Sequence, residues 1–263
     1  MSEGTDWLFD LGKSRGKAAP RLGGEAVGAV QAWPHAGADL VHGDAGSAPL
    51  PRGRCAWLAS VAAPELTAQV TALLEQRFEQ VRLARTSAQC AGVRLAYPEP
   101  QRMGVDRFLA LLGARALGGE ALVVGVGTAL TVDLLDADGR HHGGRIAASP
   151  TLMRQALHQR AAQLPETGGR YREFADDTDD ALASGCDGAA VALVERSLEQ
   201  AALRLGRRPA LLLHGGGGED LLPWLPQARW QPALVLEGLA RWARVVEAEG
   251  VADVAASPAR PLG

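Results

Sequence analysis

The sequence predicts an α/β protein made of two similar halves, and three observations support this prediction. Apolar strand-like runs alternate with segments of helical periodicity, which favours sheets flanked by helices. An apolar run followed by a glycine turn occurs twice, at 7–17 and at 122–133. The chain has 263 residues, enough for one large domain or two smaller ones. We therefore expect a duplicated fold that holds a nucleotide between its halves.

The individual elements follow from local patterns. In the first half we expect strands at 7–12, 55–62 and 81–85 and helices at 64–78 and 104–118. In the second half we expect three strands within 121–147, helices at 150–163, 179–205 and 236–249, and a strand at 209–218 that ends in glycines. The predicted halves are residues 1–117 and 118–249, and 250–263 are expected to form a flexible tail.

The composition argues against several function classes. With a net charge of -3, the chain offers no basic surface for nucleic acid or an anionic membrane. No apolar run reaches the length of about 18 residues that a membrane span requires. The three cysteines, Cys55, Cys90 and Cys186, are widely spaced and suggest neither a disulfide framework nor a zinc site. A cytoplasmic protein without nucleic-acid or membrane partners is expected.

The first glycine turn lies in FDLGKSRGK (9–17), whose GKS is typical of a Walker A loop. That loop needs a glycine five residues before the second one, and Trp7 stands there. A strand running into a hairpin is the better interpretation. Asp10 would lie at the strand end, facing phosphates through Mg²⁺.

The second glycine turn offers a matching phosphate site at Gly127, Thr128 and Ala129. Taken singly, each turn is more often a plain hairpin, but the pair at the starts of two halves favours phosphate binding. HGGGGED (214–220) would let a base or ribose lie on bare backbone, although a simple flexible turn is equally compatible with it.

Polar residues elsewhere leave alternatives open. In YPEPQRMGVDRF (97–108), Asp106 and Arg107 fall at a helix start, where they could serve a ligand or only the helix dipole. The aspartates around Thr178 are ordinary helix capping in the first instance. His141 and His142 have no spacing that predicts a metal site.

Together these motifs resemble those of the type III pantothenate kinases, over residues 7 to 246. The first phosphate loop of that family, D-x-G-N-[ST]-x-x-[KR], is matched by Asp10, Gly12, Ser14 and Lys17. The motif Y-x-x-P-x-x-[LM]-G-x-D-R is matched by Tyr97, Pro100, Met103, Gly104, Asp106 and Arg107. The motif D-x-G-T-A-x-T-x-D, followed by G-x-H-x-G-G-x-I, is matched by Gly127, Thr128, Ala129, Thr131, Asp133, Gly139, His141, Gly143, Gly144 and Ile146.

The resemblance implies an actin-like fold of two ribonuclease-H-like halves, as in acetate and sugar kinases. It implies ATP-dependent phosphorylation of pantothenate to 4'-phosphopantothenate, the first step of coenzyme A biosynthesis. It also implies a homodimer, Mg²⁺ with ATP, and a monovalent cation such as K⁺ or NH₄⁺.

Residue by residue, the resemblance implies that Asp106 is the catalytic base. The implied pantothenate contacts are Tyr97, Gly104, Val105, Arg107 and Thr178. The implied ATP contacts are Asp10, Leu11, Gly12, Lys13, Ser14, Arg15, Gly16, Lys17, Gly127, Thr128, Ala129, Gly215 and Gly216, with Asp10 also reaching Mg²⁺ through the phosphates.

The chain departs seriously from the family pattern at two positions, with a smaller departure at Ala161, where a threonine is usual. Gly125 stands where the family has an aspartate that helps to bind the monovalent cation, and Lys13 stands where it has asparagine. Both departures would suit a catalytically weakened regulatory or accessory protein, of the transcriptional accessory factor type, on the same fold. A kinase for another small alcohol is a further alternative.

Overall fold

A computed structural model of the chain describes residues 4–13, 15–34 and 50–250. It contains two compact units, one formed by the described residues up to Arg85 and from Leu236 onward, the other by Thr86–Val235. The units differ from the predicted halves in the placement of two helices. The helix that ends at Leu117 belongs to the second unit, and the last helix, from Leu236 onward, belongs to the first. The division into halves at 117 stays a prediction, and the predicted tail lies outside the described residues beyond Gly250.

The first unit is built on one five-stranded sheet. Its strands are β1 (Trp7–Leu11), β2 (Arg15–Pro20), β3 (Gln31–Pro34), β4 (Gly53–Ser60) and β5 (Phe78–Leu83), in the order β3-β2-β1-β4-β5. Neighbours from β3 to β1 are antiparallel, and β1, β4 and β5 are parallel. Helix α1 (Pro64–Glu75) connects β4 to β5, with Pro64 in its first turn, where proline costs no hydrogen bond.

The second unit opens with a small hairpin of β6 (Gln89–Cys90) and β7 (Val93–Arg94), a 3₁₀ turn and helix α2 (Val105–Leu117). Its five-stranded sheet contains β8 (Ala121–Val126), β9 (Ala129–Leu135), β10 (His141–Ala148), β11 (Ala210–His214) and β12 (Ala228–Trp230), in the order β10-β9-β8-β11-β12. Helices α3 (Pro150–Arg160) and α4 (Thr178–Leu205) follow β10, and a 3₁₀ helix (Glu219–Trp224) precedes β12. The last helix, α5 (Leu234–Ala248), belongs to the first unit from Leu236 onward.

The two sheets have the same topology. In each, the first three strands form an antiparallel meander, and two parallel strands follow on the other side of the first strand. The predicted duplication is confirmed by this repeat of strand order and direction. The first hairpin of each sheet, β1–β2 and β8–β9, is the glycine turn that the sequence predicted.

The core explains why the strands read as apolar runs. Every residue of β8 is buried, and α2 and α4 both pack against β8 and β9. A strand that is buried on both faces shows no alternation of apolar and polar residues. In the first unit, Phe9 and Leu58 pack with Leu74 of α1 and with Phe78.

Several predicted boundaries are wrong. The helix predicted at 150–163 ends at Arg160, and the strand predicted at 55–62 is Gly53–Ser60. The helix predicted at 64–78 ends at Glu75, and β5 begins at Phe78 instead of residue 81. Phe78 pairs with Gly53 and its ring packs edge-on against Phe9 at 5.7 Å, so burial in the sheet draws this residue out of the helix.

Candidate active site

The β1–β2 hairpin forms a tight turn after Gly12. The Gly12 N–H donates to the Arg15 carbonyl at 3.0 Å, which closes the turn around Lys13. Asp10 and Lys17 are directly opposite each other in the register, so their side chains leave the same face of the sheet. Both charges thus stand at the hairpin end, where the sequence predicted phosphate binding.

The other residues predicted in this loop differ in whether their backbone or their side chain could contact a ligand. Leu11 is buried and pairs with Gly16, so these two residues can offer only backbone to a ligand. Lys13 and Arg15 are exposed. Ser14 lies outside the described residues.

The β8–β9 hairpin has a two-residue turn of Gly127 and Thr128, both exposed. The Gly127 N–H donates to the Ala129 carbonyl at 3.0 Å. Ser149 ties this turn to helix α3, because its hydroxyl donates to the Thr128 carbonyl at 3.0 Å and accepts the Leu152 N–H at 3.2 Å as the helix cap. The second predicted phosphate turn is therefore anchored beside a helix N-terminus.

The glycine turn after β11 lies against the end of β8. Gly215 has a φ of +93°, and a Cβ there would lie 2.4 Å from the Val126 carbonyl oxygen, so only glycine fits. The Gly217 N–H donates to the same carbonyl at 3.0 Å. Because Val126 precedes Gly127, the structure brings two predicted nucleotide-binding segments, Gly127–Ala129 and Gly215–Gly216, to one edge of the sheet.

The start of helix α2 presents Asp106. Gly104 is the N-cap residue, Val105 is buried, and Asp106 is in the first turn. A Cβ on Gly104 would lie 2.7 Å from the Asp106 Oδ1, so the glycine leaves room for the carboxylate. Asp106 Oδ1 accepts the backbone N–H of Arg107 at 2.8 Å.

The electrostatics of Asp106 suit proton transfer. Burial raises the pKa of Asp106 above its ordinary value, against the opposing hydrogen bond and charge of Arg107. A carboxylate with a raised pKa is a stronger base than an ordinary surface aspartate. The helix N-terminus still favours its ionised form at neutral pH.

Arg107 is buried and held in a fixed orientation. Its Nε and Nη2 donate to the two carboxylate oxygens of Asp133, at 2.8 and 2.7 Å, and Nη1 donates to the Tyr97 hydroxyl at 3.2 Å. Burial lowers the pKa of Arg107, but the hydrogen bonds and charge of Asp133 outweigh burial and hold it above its ordinary value. Arg107 as a whole is only 6% exposed, which differs from the solvent-facing arginine that the helix pattern allowed.

Asp133 and His141 complete this cluster, and the sequence reasoning gave neither a role in the site. His141 is fully buried, and its Nε2 lies 2.9 Å from Asp133 Oδ1. Its ring stacks on Tyr97 with centroids 6.0 Å apart. A Cβ on Gly144 would lie 2.2 Å from Asp133 Oδ1, so glycine is needed there too. The available signal was a charged residue inside the apolar run TVDLL.

Thr178 is placed differently. It is the first residue of helix α4, and the Asp177 carboxylate caps that helix by accepting the Asp180 N–H at 2.8 Å. Thr178 lines a surface cavity of about 510 Å³ together with Gly169 and Arg170. Among the described residues, Thr178 makes no hydrogen bond to the Asp106 cluster.

Over residues 4–13, 15–34 and 50–250, no group of three or more His, Cys, Asp or Glu side chains could hold a metal ion. No helix in this described part of the chain is long and apolar enough to cross a membrane.

Comparison with known proteins decides the family. The family model for type III pantothenate kinase matches residues 28–200. A type III pantothenate kinase of Stenotrophomonas maltophilia is 64% identical over 241 residues, covering 91% of this chain and 97% of the relative. One of Xanthomonas campestris pv. campestris is 65% identical over 239 residues, with the same coverage. The chain belongs to the type III pantothenate kinase family.

Solved structures show the fold independently of this identity. A Campylobacter jejuni protein described as a Baf family transcriptional activator matches with a TM-score of 0.59 at 16% identity, covering 93% of this chain and 98% of its own. A Listeria monocytogenes protein described as a candidate N-acetylmannosamine kinase matches with a TM-score of 0.50 at 10% identity, covering 93% and 99%. The predicted sugar-kinase type of fold is confirmed.

Proposed function

We propose that the chain transfers the γ-phosphate of ATP to pantothenate, giving 4'-phosphopantothenate in the first step of coenzyme A biosynthesis. The observation that carries the proposal is the half-buried Asp106 at a helix start beside the Tyr97–Arg107–Asp133 cluster. Membership of a family of pantothenate kinases supports the substrate. The alternative of a regulatory or accessory protein is not favoured, because relatives that are 62–65% identical over 91% of the chain are named as kinases.

Asp106 would act as the catalytic base. Phosphoryl transfer passes through a loose transition state, so positioning the attacking hydroxyl matters more than strong deprotonation. The Asp106 carboxylate, fixed by the Arg107 N–H at 2.8 Å, would accept the hydroxyl proton and orient the oxygen in line. Gly104 and Val105 would contact the substrate through backbone, since Val105 is buried.

Arg107 and Tyr97 would bind the polar groups of pantothenate. Three of the five guanidinium N–H donors already donate to Asp133 and Tyr97, which leaves two for a ligand. Arginine in this state is held in place before the substrate arrives, which lowers the entropy lost on binding. Thr178 stays a predicted substrate contact from the later segment.

A kinase of this family uses ATP and a divalent metal. The predicted ATP contacts stay Asp10–Lys17, Gly127–Ala129 and Gly215–Gly216. The Asp10 carboxylate is a hard oxygen donor that fits Mg²⁺, which would neutralise phosphate charge when bound with ATP. Lys17, opposite Asp10, would donate to phosphate oxygens.

A homodimer is the proposed assembly, and exposed apolar side chains of the second unit would contribute to its interface. Ile146 on β10, Leu152 and Leu157 on α3, and Phe174 are exposed by 64%, 36%, 44% and 97%. Exposed apolar side chains on neighbouring elements often mark an interface. The proposed location is the cytoplasm, in agreement with the free thiols of Cys55, Cys90 and Cys186. Sedimentation of the purified protein tests the dimer.

The function is tested by ADP release at about millimolar ATP, with and without pantothenate, a typical range for substrate saturation. Pantothenate-dependent turnover is expected, with a phosphorylated product detected by mass spectrometry. A panel of other small alcohols, including N-acetylmannosamine, serves as the control for substrate class. ADP release that is the same without pantothenate would contradict the proposal. Faster turnover of another alcohol would identify that alcohol as the preferred substrate.

A further inference from the structure

Gly125 lies in the middle of a row of three side-chain positions across the second sheet. It pairs with Thr131 of β9 on one side and with His214 of β11 on the other. Residues that pair directly across strands project from the same face. The position in the family pattern that carries an aspartate therefore has no side chain here, and its two neighbours face each other across it.

Thr131 and His214 fill the space above Gly125. A Cβ built on Gly125 would lie 2.8 Å from Thr131 Oγ1 and 2.9 Å from His214 Nε2. Both distances are shorter than a normal contact, so any side chain at 125 would have to push these groups aside. The imidazole ring thus covers the place from which a carboxylate would project.

The groups in this row do not fit a monovalent cation. K⁺ is held by several oxygen ligands, and NH₄⁺ by several hydrogen-bond acceptors placed around its four N–H groups. The row offers one hydroxyl and an imidazole, a ligand suited to transition metals. The Thr131 hydroxyl is also directed to the Gly125 carbonyl, at 3.5 Å.

The equivalent row of the first sheet has the opposite arrangement. There Asp10 takes the central position, between Lys17 on β2 and Ala59 on β4. Ala59 has no side chain beyond Cβ, so β4 places only a methyl group beside the Asp10 position. At equivalent positions of the two sheets, the first therefore has the Asp10 carboxylate. The second has Gly125, which the side chains of Thr131 and His214 cover.

We propose that His214 and Thr131 close the position over Gly125, so that no monovalent cation binds there and phosphoryl transfer proceeds without added K⁺ or NH₄⁺. The proposal rests on the proposed kinase function for its activity measurement alone. Its second measurement, thermal unfolding, does not require turnover.

The activity measurement compares pantothenate-dependent turnover in KCl, NH₄Cl and choline chloride at equal ionic strength. The expected rates agree within about twofold, since a cation without differential binding to the transition state changes no rate. A tenfold or larger stimulation by K⁺ or NH₄⁺ over choline would overturn the proposal. Absence of pantothenate-dependent turnover in all three salts would contradict the proposed kinase function. The thermal test would then decide by itself whether a cation binds at this position.

The thermal measurement follows the unfolding midpoint in KCl and in choline chloride, both with ADP and pantothenate present. The double variant Gly125→Asp/His214→Ala restores a carboxylate and removes the ring, and it is expected to gain a K⁺-dependent rise of about 5 °C if K⁺ is about a hundredfold above its dissociation constant. The matched control is Gly185→Asp/His214→Ala, which adds the same charge at an exposed glycine with nothing within 4 Å.

Three outcomes decide the thermal test. A K⁺ response in the double variant and none in the wild type or the matched control supports the proposal. A K⁺ response in the wild type overturns it. No K⁺ response in any of the three proteins overturns the assignment of this row as the cation position.

Discussion

In the first unit, a buried carboxylate connects the sheet to the last helix. Asp6 is 7% exposed and accepts from Arg54 Nη2 at 2.7 Å, while Arg21 Nη1 lies 3.5 Å away. Arg21 also donates to both carboxylate oxygens of Glu247 at 2.8 Å, and its guanidinium lies 5.7 Å from the Trp57 ring centroid. This cluster, the α5 clip, joins residues 226 positions apart in the chain.

In the second unit, a buried carboxylate with similar neighbours connects the sheet to the start of helix α2. Asp133 is 2% exposed and lies beside Arg107, which in turn lies over the Tyr97 ring at 5.8 Å from its centroid. Both oxygens of Asp133 accept hydrogen bonds from Arg107, and Oδ1 also contacts His141. This cluster adjoins Asp106, the proposed base.

Burial of a charged cluster does not by itself mark an active site. Both clusters combine a carboxylate, an arginine and an aromatic ring. The α5 clip is the less complete of the two, since Asp6 Oδ1 has no hydrogen-bond partner among the residues the structure describes. What distinguishes the second cluster is its neighbour, a carboxylate at a helix start whose pKa burial raises.

Replacing the proposed base beside the second cluster should give the largest effect. Asp106→Asn keeps an oxygen to accept the Arg107 N–H but cannot accept the substrate proton, so kcat is expected to fall about 10²–10⁴-fold. Because the folded pKa of Asp106 lies above its ordinary value, the ionised group costs stability as pH rises through that pKa. At neutral pH the variant should therefore unfold at the same or a higher temperature.

The measurements are steady-state ADP release and thermal unfolding at pH 7. A matched control is Asp136→Asn, which neutralises a half-buried carboxylate on the turn after β9. That carboxylate contacts the His142 ring and accepts the backbone N–H groups of Asp138 and Arg140. Retention of more than a tenth of the wild-type kcat in Asp106→Asn would show that the base is misassigned. A variant that loses both activity and its folding transition would point to a structural role instead.

Sequence patterns could predict the parts of this molecule that depend on local geometry. The glycine turns after β1 and β8 follow from short motifs, and so does the position of Asp106 at a helix start. The environment of Arg107 could not be predicted, because it depends on a strand 26 residues away. The covering of Gly125 depends on the parallel register of β8 and β11, which places His214 beside it from 89 positions further along the chain.

Removing the carboxylate of the second cluster should affect both stability and substrate binding. Asp133→Asn leaves the Arg107 charge buried without its partner, a change that typically costs about 3–5 kcal/mol of unfolding free energy. Arg107 and Tyr97 would lose their fixed orientation, so we expect the KM for pantothenate to rise about tenfold more than the KM for ATP, a difference of about 1.4 kcal/mol.

The matched change in the α5 clip is Asp6→Asn. It should lower the unfolding free energy by about 1–3 kcal/mol, because Asp6 lies beside one half-exposed arginine and one buried one. The KM for pantothenate should stay at the wild-type value. Urea unfolding and steady-state kinetics on both variants check the pair. If Asp6→Asn changed KM as much as Asp133→Asn, the distinction between the two clusters would fail.

The smallest effect concerns the Glu247 end of the α5 clip and its dependence on pH. The hydrogen bond from Arg21 holds the pKa of Glu247 below its ordinary value of 4.5. The pair is therefore fully stabilising above pH 4.5, and its contribution is lost as pH falls from there through the lowered folded pKa. Because Glu247 is 38% exposed, the contribution should be about 1 kcal/mol or less and should decrease with added salt.

Glu247→Gln tests this end of the clip by urea unfolding at pH 7 and at successive lower pH values. The wild type should be the more stable protein at pH 7, and the difference should shrink as Glu247 becomes protonated in the folded state. Pantothenate-dependent turnover at pH 7 should not change, because the clip lies in the sheet-to-helix contact of the first unit. A difference that stays constant with pH would mean that packing of the side chain, and not its charge, holds α5 in place. A change in KM at pH 7 would show that the α5 clip also serves the active site, against the comparison with the Asp133 cluster.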